Sequence, residues 1–388
     1  MKNILIAGGD GFLGWPLALE LASAGHNVTI IDNFMRRTID MELGAESIIP
    51  IASMQNRLKA AREVLNINIR FEYIDIVSEF EKLKNIIIKN EIDTVVHFAE
   101  IKSAPYSMLN SDKSRLTVNS NVTATHNILA AIVDVNPNIH LVHMGTMGVY
   151  GYSDVFGEIP EGYLDIKVKQ TNSDTKILFP TNPGSIYHMT KSLDQILFAF
   201  YNKTWGLKIT DLHQGIVWGT STKLTSLHPL LANRFDYDGE YGTVLNRFIV
   251  EAAAGQSISV YGTGGQARAF IHIEDSVTCV RLAIETPPKN SETVRIFNQV
   301  AEVKKVKDLA KLVSDHTGVG IEHLSNPRKE SAENELLVKN DGLKSLGFEP
   351  IFLSNNLLDD LIVLAKAYSS KVNPEAIVSK AIWSNKGA

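Results

Sequence analysis

Hydrophobic residues in the first half of the chain occur in short runs that alternate with segments of helical periodicity. The runs have the length of strands and cover the chain start and residues 27–32, 70–75, 93–99, 140–146 and 207–212. Apolar runs separated by amphipathic segments are typical of parallel strands joined by right-handed crossover helices. The pattern predicts an α/β fold with a doubly wound parallel sheet.

The alternation ends near residue 215, and the remaining chain has a different pattern. Loops are broken there by helical segments near 244–254 and 275–286. We therefore predict two domains. Residues 1–215 form the first domain, and we expect part of residues 244–286 to pack with it. Residues 216–388 form mainly a smaller, mixed C-terminal substrate domain.

The first apolar run ends in a glycine-rich loop that begins a helix. The loop contains Gly8, Gly9, Gly11, Phe12, Leu13 and Gly14. Its glycines can be read as GxxGxxG or as GxGxxG, and either spacing allows a tight turn, close approach of a pyrophosphate and packing of helix on strand. The helix N-terminus then offers free N–H groups to phosphates. This order of features predicts a Rossmann dinucleotide-binding domain.

The second predicted strand ends in an acid that indicates which dinucleotide binds. Asp32 lies 18 residues after Gly14, where a carboxylate would bind the ribose 2′-hydroxyl of NAD and repel the 2′-phosphate of NADP. Asn33 follows it as a further candidate contact. Arg36 and Arg37 are close by and could host such a phosphate. The acid favours NAD, and the arginines keep NADP as the alternative.

Ligands of such sheets bind beyond the carboxyl ends of the strands. The candidate residues at those ends are Asp75, Ile76, Phe98, Thr146 and the stretch after Leu212. We expect them to surround one crevice.

Tyr187 and Lys191 stand four residues apart, and Thr146 lies about 40 residues upstream. One helical turn puts the phenol and the ammonium on the same face, where the cation favours the phenolate and makes it a usable base. The Thr146 hydroxyl could share the substrate proton. A lone YxxxK is usually an ordinary surface pair, but the upstream glycine loop favours the catalytic interpretation.

Composition is consistent with an ordinary enzyme of 388 residues and net charge −5. This charge gives no case for nucleic-acid or membrane binding, and no apolar run has the length of a membrane span. The single cysteine, Cys279, excludes internal disulfides and cysteine metal cages, and we expect no metal. The first residues already form the first strand, so we expect no leader and a cytoplasmic location.

Whole segments of the chain resemble the extended short-chain dehydrogenase/reductases of the nucleotide-sugar branch, and within them the UDP-sulfoquinovose synthase family. The resemblance runs from about residue 2 to near Trp383. It is carried by residues 32–37, Ser53, 103–108, 145–148, 187–191, 242–248, 264–268, 297–299 and 326–328.

This resemblance implies an NAD enzyme that joins sulfite to UDP-glucose. The implied route is oxidation at sugar C4 with Tyr187 as base, loss of water across C5 and C6, addition of sulfite at C6, and return of the hydride to C4. NAD would be a recycled cofactor. The first domain would then bind NAD, and the second would bind mainly the UDP-sugar.

The residues after Thr146 distinguish this family from the 4,6-dehydratases, which have an Asp-Glu pair at that place. Here the pair is Met147-Gly148, and a small uncharged wall would suit a sulfite dianion, which a nearby carboxylate would repel. His188 is then the first candidate for the proton transfers, since imidazole titrates near neutral pH. The alternative is that His188 only binds the nucleotide or packs on its helix.

The resemblance also implies residues for the UDP-sugar. Arg268 and Arg328 are candidate pyrophosphate clamps, because a guanidinium offers paired donors to phosphate oxygens. The other candidates are Lys102, Gln214, Asn246, Arg247 and Tyr261. Two positions depart from the family pattern: Lys102 lies where an arginine is expected, and Val149 lies where a glutamate is expected.

Three alternatives stay open. A UDP-hexose 4-epimerase would use the same tyrosine, lysine and NAD, and a 4,6-dehydratase would need the acid pair that is absent here. A non-catalytic NAD-binding scaffold would usually lack Tyr187 or Lys191. For assembly we expect a homodimer that pairs through helices near 114–134 and 185–204.

Overall fold

The structure is a computed structural model that describes residues 1–151, 157–169, 173–290, 292–328, 330–381 and 383. The strands are β1 (Asn3–Ala7), β2 (Asn27–Asp32), β3 (Ile69–Tyr73), β4 (Thr94–His97), β5 (His140–Thr146), β6 (Glu158–Ile159), β7 (Tyr163–Val168), β8 (Ser173–Leu178), β9 (Lys208–Gln214), β10 (Ile216–Trp218), β11 (Ile258–Tyr261), β12 (Ala267–His272), β13 (Arg295–Gln299), β14 (Glu302–Lys305), β15 (Ile321–Leu324) and β16 (Leu337–Val338).

The α-helices are α1 (Gly14–Ser23), α2 (Met35–Leu43), α3 (Met54–Leu65), α4 (Phe80–Lys89), α5 (Ala104–Ser107), α6 (Ser111–Val135), α7 (Ile186–Trp205), α8 (Val244–Ala253), α9 (Ile273–Glu285), α10 (Val306–Thr317), α11 (Asp341–Ser345) and α12 (Asn355–Ala367). Among the described residues, no helix combines the length and apolar character needed to cross a membrane.

Seven parallel strands form the central sheet, in the order β13-β9-β5-β4-β1-β2-β3. The chain starts at β1 and moves outward to β3, then returns to β4 beside β1 and continues to the other edge. This reversal confirms the predicted doubly wound α/β fold. It also opens a crevice beyond the carboxyl ends of the central strands, where ligands of such sheets bind.

Two hydrophobic cores cover the two faces of the sheet. On one face, α1 and α9 pack against the strands through residues such as Trp15 and Val280. On the other, α4, α6 and α7 pack side by side and bury Ile86, Ile128 and Phe198. The strands are apolar on both faces because both are covered by helices.

The smaller domain has its own hydrophobic core, but it does not include all of residues 216–388. Helix α8 packs there against α10 and α12, next to the small sheet β10-β12-β14. Helix α9 and strand β13 instead belong to the large sheet layer. The large domain therefore extends to residue 299, beyond the predicted returning part at 244–286, and the first helix of that part stays in the small domain.

A buried ion pair fixes the glycine loop to its surroundings. Asp10 contacts Arg57 at 2.8 Å, and the Arg57 guanidinium lies 4.3 Å from the Trp15 ring centre. Arg57 is 0% exposed. It also donates to the carbonyl of Ala232 in the chain that leads into the smaller domain. One guanidinium thus ties together the loop, helix α3 and the second domain.

Replacement of this guanidinium should make the protein less stable. We expect Arg57→Ala to lower the free energy of unfolding by about 2–5 kcal/mol, because a fully buried side chain is truncated and the Asp10 carboxylate keeps only Arg37 as its partner. Urea unfolding would measure this. The matched control is Arg62→Ala on the same helix, where the side chain contacts Asn68 in an exposed pair and a change within about 0.5 kcal/mol is expected. Equal small losses in both variants would contradict this structural role.

Candidate active site

One large cleft, with about 430 Å³ of open volume, lies between the carboxyl ends of the sheet and the smaller domain. Most of the residues singled out in the sequence line it. They are Gly8, Gly11, Phe12, Leu13, Gly14, Asp32, Asn33, Arg36, Asp75, Ile76, Phe98, Lys102, Thr146, Met147, Tyr187, His188, Lys191, Gln214, Arg247, Tyr261, Arg268 and Arg328. Arg37 and Asn246 do not line it.

The glycine loop packs too closely against neighbouring backbone to accept side chains at two of its glycines. Gly8 has a φ of +84°, and a Cβ there would lie 2.8 Å from the backbone nitrogen of Ala99. A Cβ on Gly14 would lie 2.2 Å from the Gly8 carbonyl oxygen. Helix α1 begins here without a side-chain cap or an acidic first turn. The Trp15 N–H donates to the Gly11 carbonyl at 3.3 Å and Pro16 has no N–H, so the N–H groups just before Trp15 are the ones left for a phosphate. The loop fits a dinucleotide pyrophosphate.

Asp32 lies at the end of β2 and faces the cleft. Its carboxylate accepts from the backbone nitrogens of Asp10 at 2.9 Å and Phe34 at 2.7 Å. Burial raises the pKa of Asp32 to about 6, although these hydrogen bonds oppose the shift. A carboxylate in this position fits the 2′-hydroxyl of an adenosine ribose.

The two arginines that could have hosted a 2′-phosphate are already paired with carboxylates. Arg37 binds Asp10 through two nitrogens at 2.6 and 2.8 Å, and its side chain lies outside the cleft wall. Arg36 is paired with Asp40. The residues present therefore fit NAD better than NADP, and Arg37, on helix α2, is a structural partner of the glycine loop.

Tyr187 and Thr146 reach the cleft from two adjacent elements. Ser185 caps helix α7 by accepting from the His188 nitrogen at 3.1 Å, so Tyr187 lies in the first turn. The Tyr187 backbone nitrogen donates to Ser107 at 3.1 Å. Thr146 ends β5, and its hydroxyl oxygen accepts from the Gly148 nitrogen at 3.1 Å. That bond leaves the hydroxyl hydrogen of Thr146 for a ligand.

Lys191 is held by buried partners that the sequence did not reveal. Its Nζ lies 2.8 Å from Glu100, 3.1 Å from His143 and 2.6 Å from the carbonyl oxygen of Met144. Burial lowers the pKa of Lys191, but Glu100 and Tyr187 raise it and the net shift is upward. The side chain therefore stays an ammonium at neutral pH.

The side chains around Lys191 also form a cluster with metal-ligand types. The nearest ligand atoms of His97, Glu100 and His143 lie within 4.8 Å of one another. Their ligand atoms already have partners. Glu100 pairs with Lys191 at 2.8 Å and with His143 at 2.9 Å, and the other ring nitrogen of His143 pairs with Asp211 at 2.8 Å. We interpret the cluster as the environment of Lys191.

His188 occupies the space that a side chain at position 148 would need. A Cβ on Gly148 would lie 2.4 Å from His188 Nε2. Burial, with smaller effects from Arg328 and Arg268, lowers the pKa of His188 to about 3. His188 is therefore neutral at physiological pH, and its pKa lies below the near-neutral range that the sequence predicted for it, so it is a weaker base than a free imidazole. Val149, which replaces an expected glutamate, is 1% exposed and belongs to the hydrophobic core.

The smaller domain supplies cations and aromatic rings to the far end of the cleft. Arg268 pairs with Glu330. Arg328 lies 5.0 Å from the ring centre of Trp383, a residue that the sequence analysis missed as a cleft wall. The Trp383 indole nitrogen donates to the carbonyl of Gly184 at 2.8 Å, so the C-terminal segment reaches the start of helix α7.

The remaining substrate candidates differ in their surroundings. Arg247 lies 4.9 Å from the Tyr261 ring centre. The Asn246 side chain is buried and bonded to the Gly219 backbone, which makes it a fold residue in this structure. The Gln214 amide donates to Gln299 at 3.0 Å.

Lys102 lies on the cofactor side of the cleft. Its Nζ is 4.6 Å from the ring centre of Phe12 in the glycine loop. The side chain lines the cleft, at a point that is surrounded by protein on the other sides. This burial lowers the pKa of Lys102 to about 8, opposed by the charge of Asp236. A cation here lies within reach of the loop that would hold the dinucleotide phosphates.

Comparisons with known proteins agree with this geometry. Residues 4–298 match the NAD dependent epimerase/dehydratase family. The chain is 41% identical over 391 residues to the chloroplastic UDP-sulfoquinovose synthase of Spinacia oleracea, covering 100% of this chain and 80% of the relative. It is 39% identical over 369 residues to the UDP-sulfoquinovose synthase of Sulfolobus acidocaldarius, covering 94% and 92%.

A solved structure has the same fold. The dTDP-glucose 4,6-dehydratase of Bacillus anthracis, in complex with NAD, superposes with a TM-score of 0.69 at 17% identity, covering 96% of this chain and 99% of that one. The glycine loop, the Tyr187 site and the identity over nearly the full length lead to one assignment. The chain belongs to the NAD dependent epimerase/dehydratase family and, within it, to the UDP-sulfoquinovose synthases.

Proposed function

We propose that this chain joins sulfite to UDP-glucose as a UDP-sulfoquinovose synthase. The reaction consumes UDP-glucose, sulfite and one proton, and it releases UDP-sulfoquinovose and water. The observation that carries the proposal is the wall next to Tyr187, where Gly148 leaves room for a neutral His188. The relatives with 41% and 39% identity support the same activity.

NAD is the cofactor that this cleft fits. Gly8 and Gly14 would lie against its pyrophosphate, Asp32 would bind the adenosine ribose, and Lys191 would bind the nicotinamide ribose. When bound, NAD takes a hydride from sugar C4 and later returns it, so the overall reaction needs no external oxidant or reductant.

Three side chains would handle the proton of the sugar 4-hydroxyl. The Tyr187 oxygen takes this proton as the C4–H bond is oxidised, with Lys191 as the adjacent cation. The hydroxyl hydrogen of Thr146 remains for the sugar oxygen, because the lone pair of Thr146 already accepts from Gly148. Positioned general bases of this kind contribute about 10²–10⁴-fold in rate.

His188 would carry the proton steps at C5 and C6. A 4-keto group acidifies the C5 proton, and a neutral imidazole can take it and deliver it to the departing C6 hydroxyl as water. Sulfite then forms the carbon–sulfur bond at C6 with its sulfur lone pair. A proton from solution returns to C5. It is the proton that the overall reaction consumes, and His188 stays neutral, as it began.

The charge of the cleft supports binding of anions. Met147 and Gly148 place no carboxylate next to His188. Arg268 and Arg328 lie at the end formed by the smaller domain, where they would bind the UDP pyrophosphate. Lys102 adds positive charge on the cofactor side of the wall and is our candidate for a further substrate contact.

We also propose that two copies pair through helices α6 and α7. These helices pack side by side on one face of the sheet. Helix α7 presents an outward apolar stripe of Leu193, Ile196 and Phe200, which are 37%, 60% and 54% exposed. A twofold axis would place the stripe against its own copy, as in most homodimers. For location we propose the cytoplasm, although the Spinacia oleracea relative is named as chloroplastic.

Sulfite should decide the product. With NAD and UDP-glucose, mass spectrometry should find a carbon–sulfur product only when sulfite is added, with no net accumulation of NADH. Sulfate should be inert because its sulfur has no lone pair. UDP-galactose would indicate an epimerase, and a 4-keto-6-deoxy sugar would indicate a dehydratase; either product formed regardless of sulfite would refute the proposal.

A variant pair ties this product to the site. Tyr187→Phe should bind UDP-glucose but lose about 10²–10⁴-fold in turnover. Tyr201→Phe is the matched control, since Tyr201 is a buried tyrosine on the same helix that does not line the cleft. It should keep normal turnover.

Space at position 148 should matter for the later steps. In Gly148→Ala the new methyl would displace the His188 ring. We expect C4 oxidation to continue while product formation falls at least about tenfold, because the base for C5 has moved. Reduced cofactor should then accumulate and be visible by absorbance.

Gly184→Ala is the control for this variant, because a Cβ there would lie 3.9 Å from His188 Nδ1, an ordinary contact. It should behave like the native protein. Normal product formation by Gly148→Ala would exclude His188 as the group that acts at C5 and C6.

The apolar stripe should control assembly. Ile196→Asp should convert a dimer to a monomer in light scattering, since it buries an unpaired charge at the twofold contact. Ile88→Asp on α4 is the control, because Ile88 is 58% exposed outside the stripe. A native protein that is already monomeric, or a dimer that both variants retain, would refute pairing through this stripe.

A further inference from the structure

We propose that Glu100, His143 and Asp211 form a buried chain of charged side chains, with Glu100 between the two cations, that positions Lys191 and keeps it an ammonium. This inference rests on the proposed role of Tyr187 as base. The three are positioning residues, because they act on the substrate only through Lys191.

The side chains from Lys191 to Asp211 follow one another at hydrogen-bond distance. Glu100 Oε2 lies 2.8 Å from Lys191 Nζ, and Glu100 Oε1 lies 2.9 Å from His143 Nε2. His143 Nδ1 lies 2.8 Å from Asp211 Oδ1. The four side chains are no more than 4% exposed. Both ring nitrogens of His143 therefore face carboxylates, which favours the imidazolium.

The charge states agree with this geometry. Burial and Lys191 lower the pKa of His143, but Asp211 and Glu100 outweigh them and raise it to about 9. Burial opposes ionisation of both carboxyls. Lys191 and His143 nevertheless hold the pKa of Glu100 below its usual range, and His213 and His143 do the same for Asp211. At neutral pH two anions and two cations cancel in charge. Lys191 Nζ and His143 Nε2 lie 3.1 Å apart, and Glu100 bridges these two cations.

The central sheet holds these charged side chains rigidly. His143 and Asp211 are paired directly across β5 and β9, and Glu100 follows β4. A Cβ on Gly145 would lie 2.5 Å from the Asp211 carboxylate, so this glycine makes room for it. Backbone pairing thus fixes two of the three residues independently of any ligand.

Other titratable groups face the same space without supplying the counter-charge. Burial lowers the pKa of His97 to about 3, so it is neutral. Burial and the nearby Glu100 raise the pKa of Asp194, which favours its protonated form. Tyr187 faces Lys191 from the same helix. Glu100 is therefore the anion in direct contact with the ammonium.

The sign of the expected effect follows from this arrangement. A lysine that is buried without an anion loses its proton more easily, since burial disfavours the charged form. In Glu100→Gln the ammonium beside Tyr187 would then be lost at lower pH. Without the ammonium beside it, Tyr187 would need a higher pH to ionise. Removal of the Glu100 charge alone, with Lys191 still charged, would instead let Tyr187 ionise at a lower pH. The direction in which the Tyr187 ionisation moves therefore distinguishes loss of the ammonium from loss of the carboxylate charge.

The experiment is the pH dependence of product formation with UDP-glucose deuterated at C4, whose isotope effect reports the hydride step. We expect Glu100→Gln to move the acidic limb of the profile up by about one pH unit, which is about tenfold in rate on that limb. NAD binding by calorimetry shows that the variant is folded. An unchanged limb, or one that moves to lower pH, overturns the proposal.

Two further variants complete the test. Glu100→Asp keeps the negative charge but moves it away from Lys191 by about one carbon–carbon bond. We expect the acidic limb to shift in the same direction by a smaller amount. This variant keeps the test decisive if Glu100→Gln does not fold. Asp275→Asn removes a buried carboxylate that does not line the cleft and should leave the limb in place. A limb in Glu100→Asp at or below the native position also overturns the proposal.

The result does not depend on which sugar is made. If the native protein forms UDP-galactose, the proposed function fails, but the same limb can be measured on that reaction. If no turnover occurs, the tyrosinate ultraviolet difference between each protein and its Tyr187→Phe version reports the ionisation directly. The same upward shift is expected there, and its absence counts against the positioning chain.

Discussion

The site depends on keeping an ammonium charged inside the protein. Lys191 is 4% exposed, and removal of such a cation from water costs several kcal/mol unless a partner compensates for it. Glu100 compensates for it directly, and His143 and Asp211 in turn hold Glu100. His143 and Asp211 lie in β5 and β9, and Glu100 lies just after β4. The central sheet therefore supplies both the scaffold and the charges that surround the ammonium. The core of this fold is therefore polar at the point where it meets the cleft.

Missing side chains are the second determinant of the cleft. Gly8 and Gly14 let the backbone approach a pyrophosphate, and any Cβ there would collide with neighbouring backbone. Gly148 leaves its space to the ring of His188, and Gly145 leaves space to a buried carboxylate. These four glycines make room for three different groups. The same small residue therefore serves the cofactor, the proposed acid–base group and the positioning chain.

The smaller domain completes the cleft and is tied to the catalytic helix. Arg268 and Arg328 bring positive charge to the end away from the glycine loop. Trp383 packs near Arg328 and donates to Gly184, just before helix α7 begins. Arg57 makes a second connection at the other end, between the glycine loop and Ala232. The two domains are thus joined on both sides of the space that a nucleotide sugar would occupy.

The sequence by itself determined the doubly wound sheet, the glycine loop, Asp32 and the Tyr187–Lys191 pair, because period and spacing are local properties of a chain. Tertiary structure decided the rest. His143 and Asp211 interrupt apolar strands, which marks them as unusual, but only the pairing of β5 with β9 brings them together. Arg37 and Asn246 looked like ligand residues until their buried partners were known. Contacts between distant segments depend on the packing of the whole fold, and no local pattern encodes them.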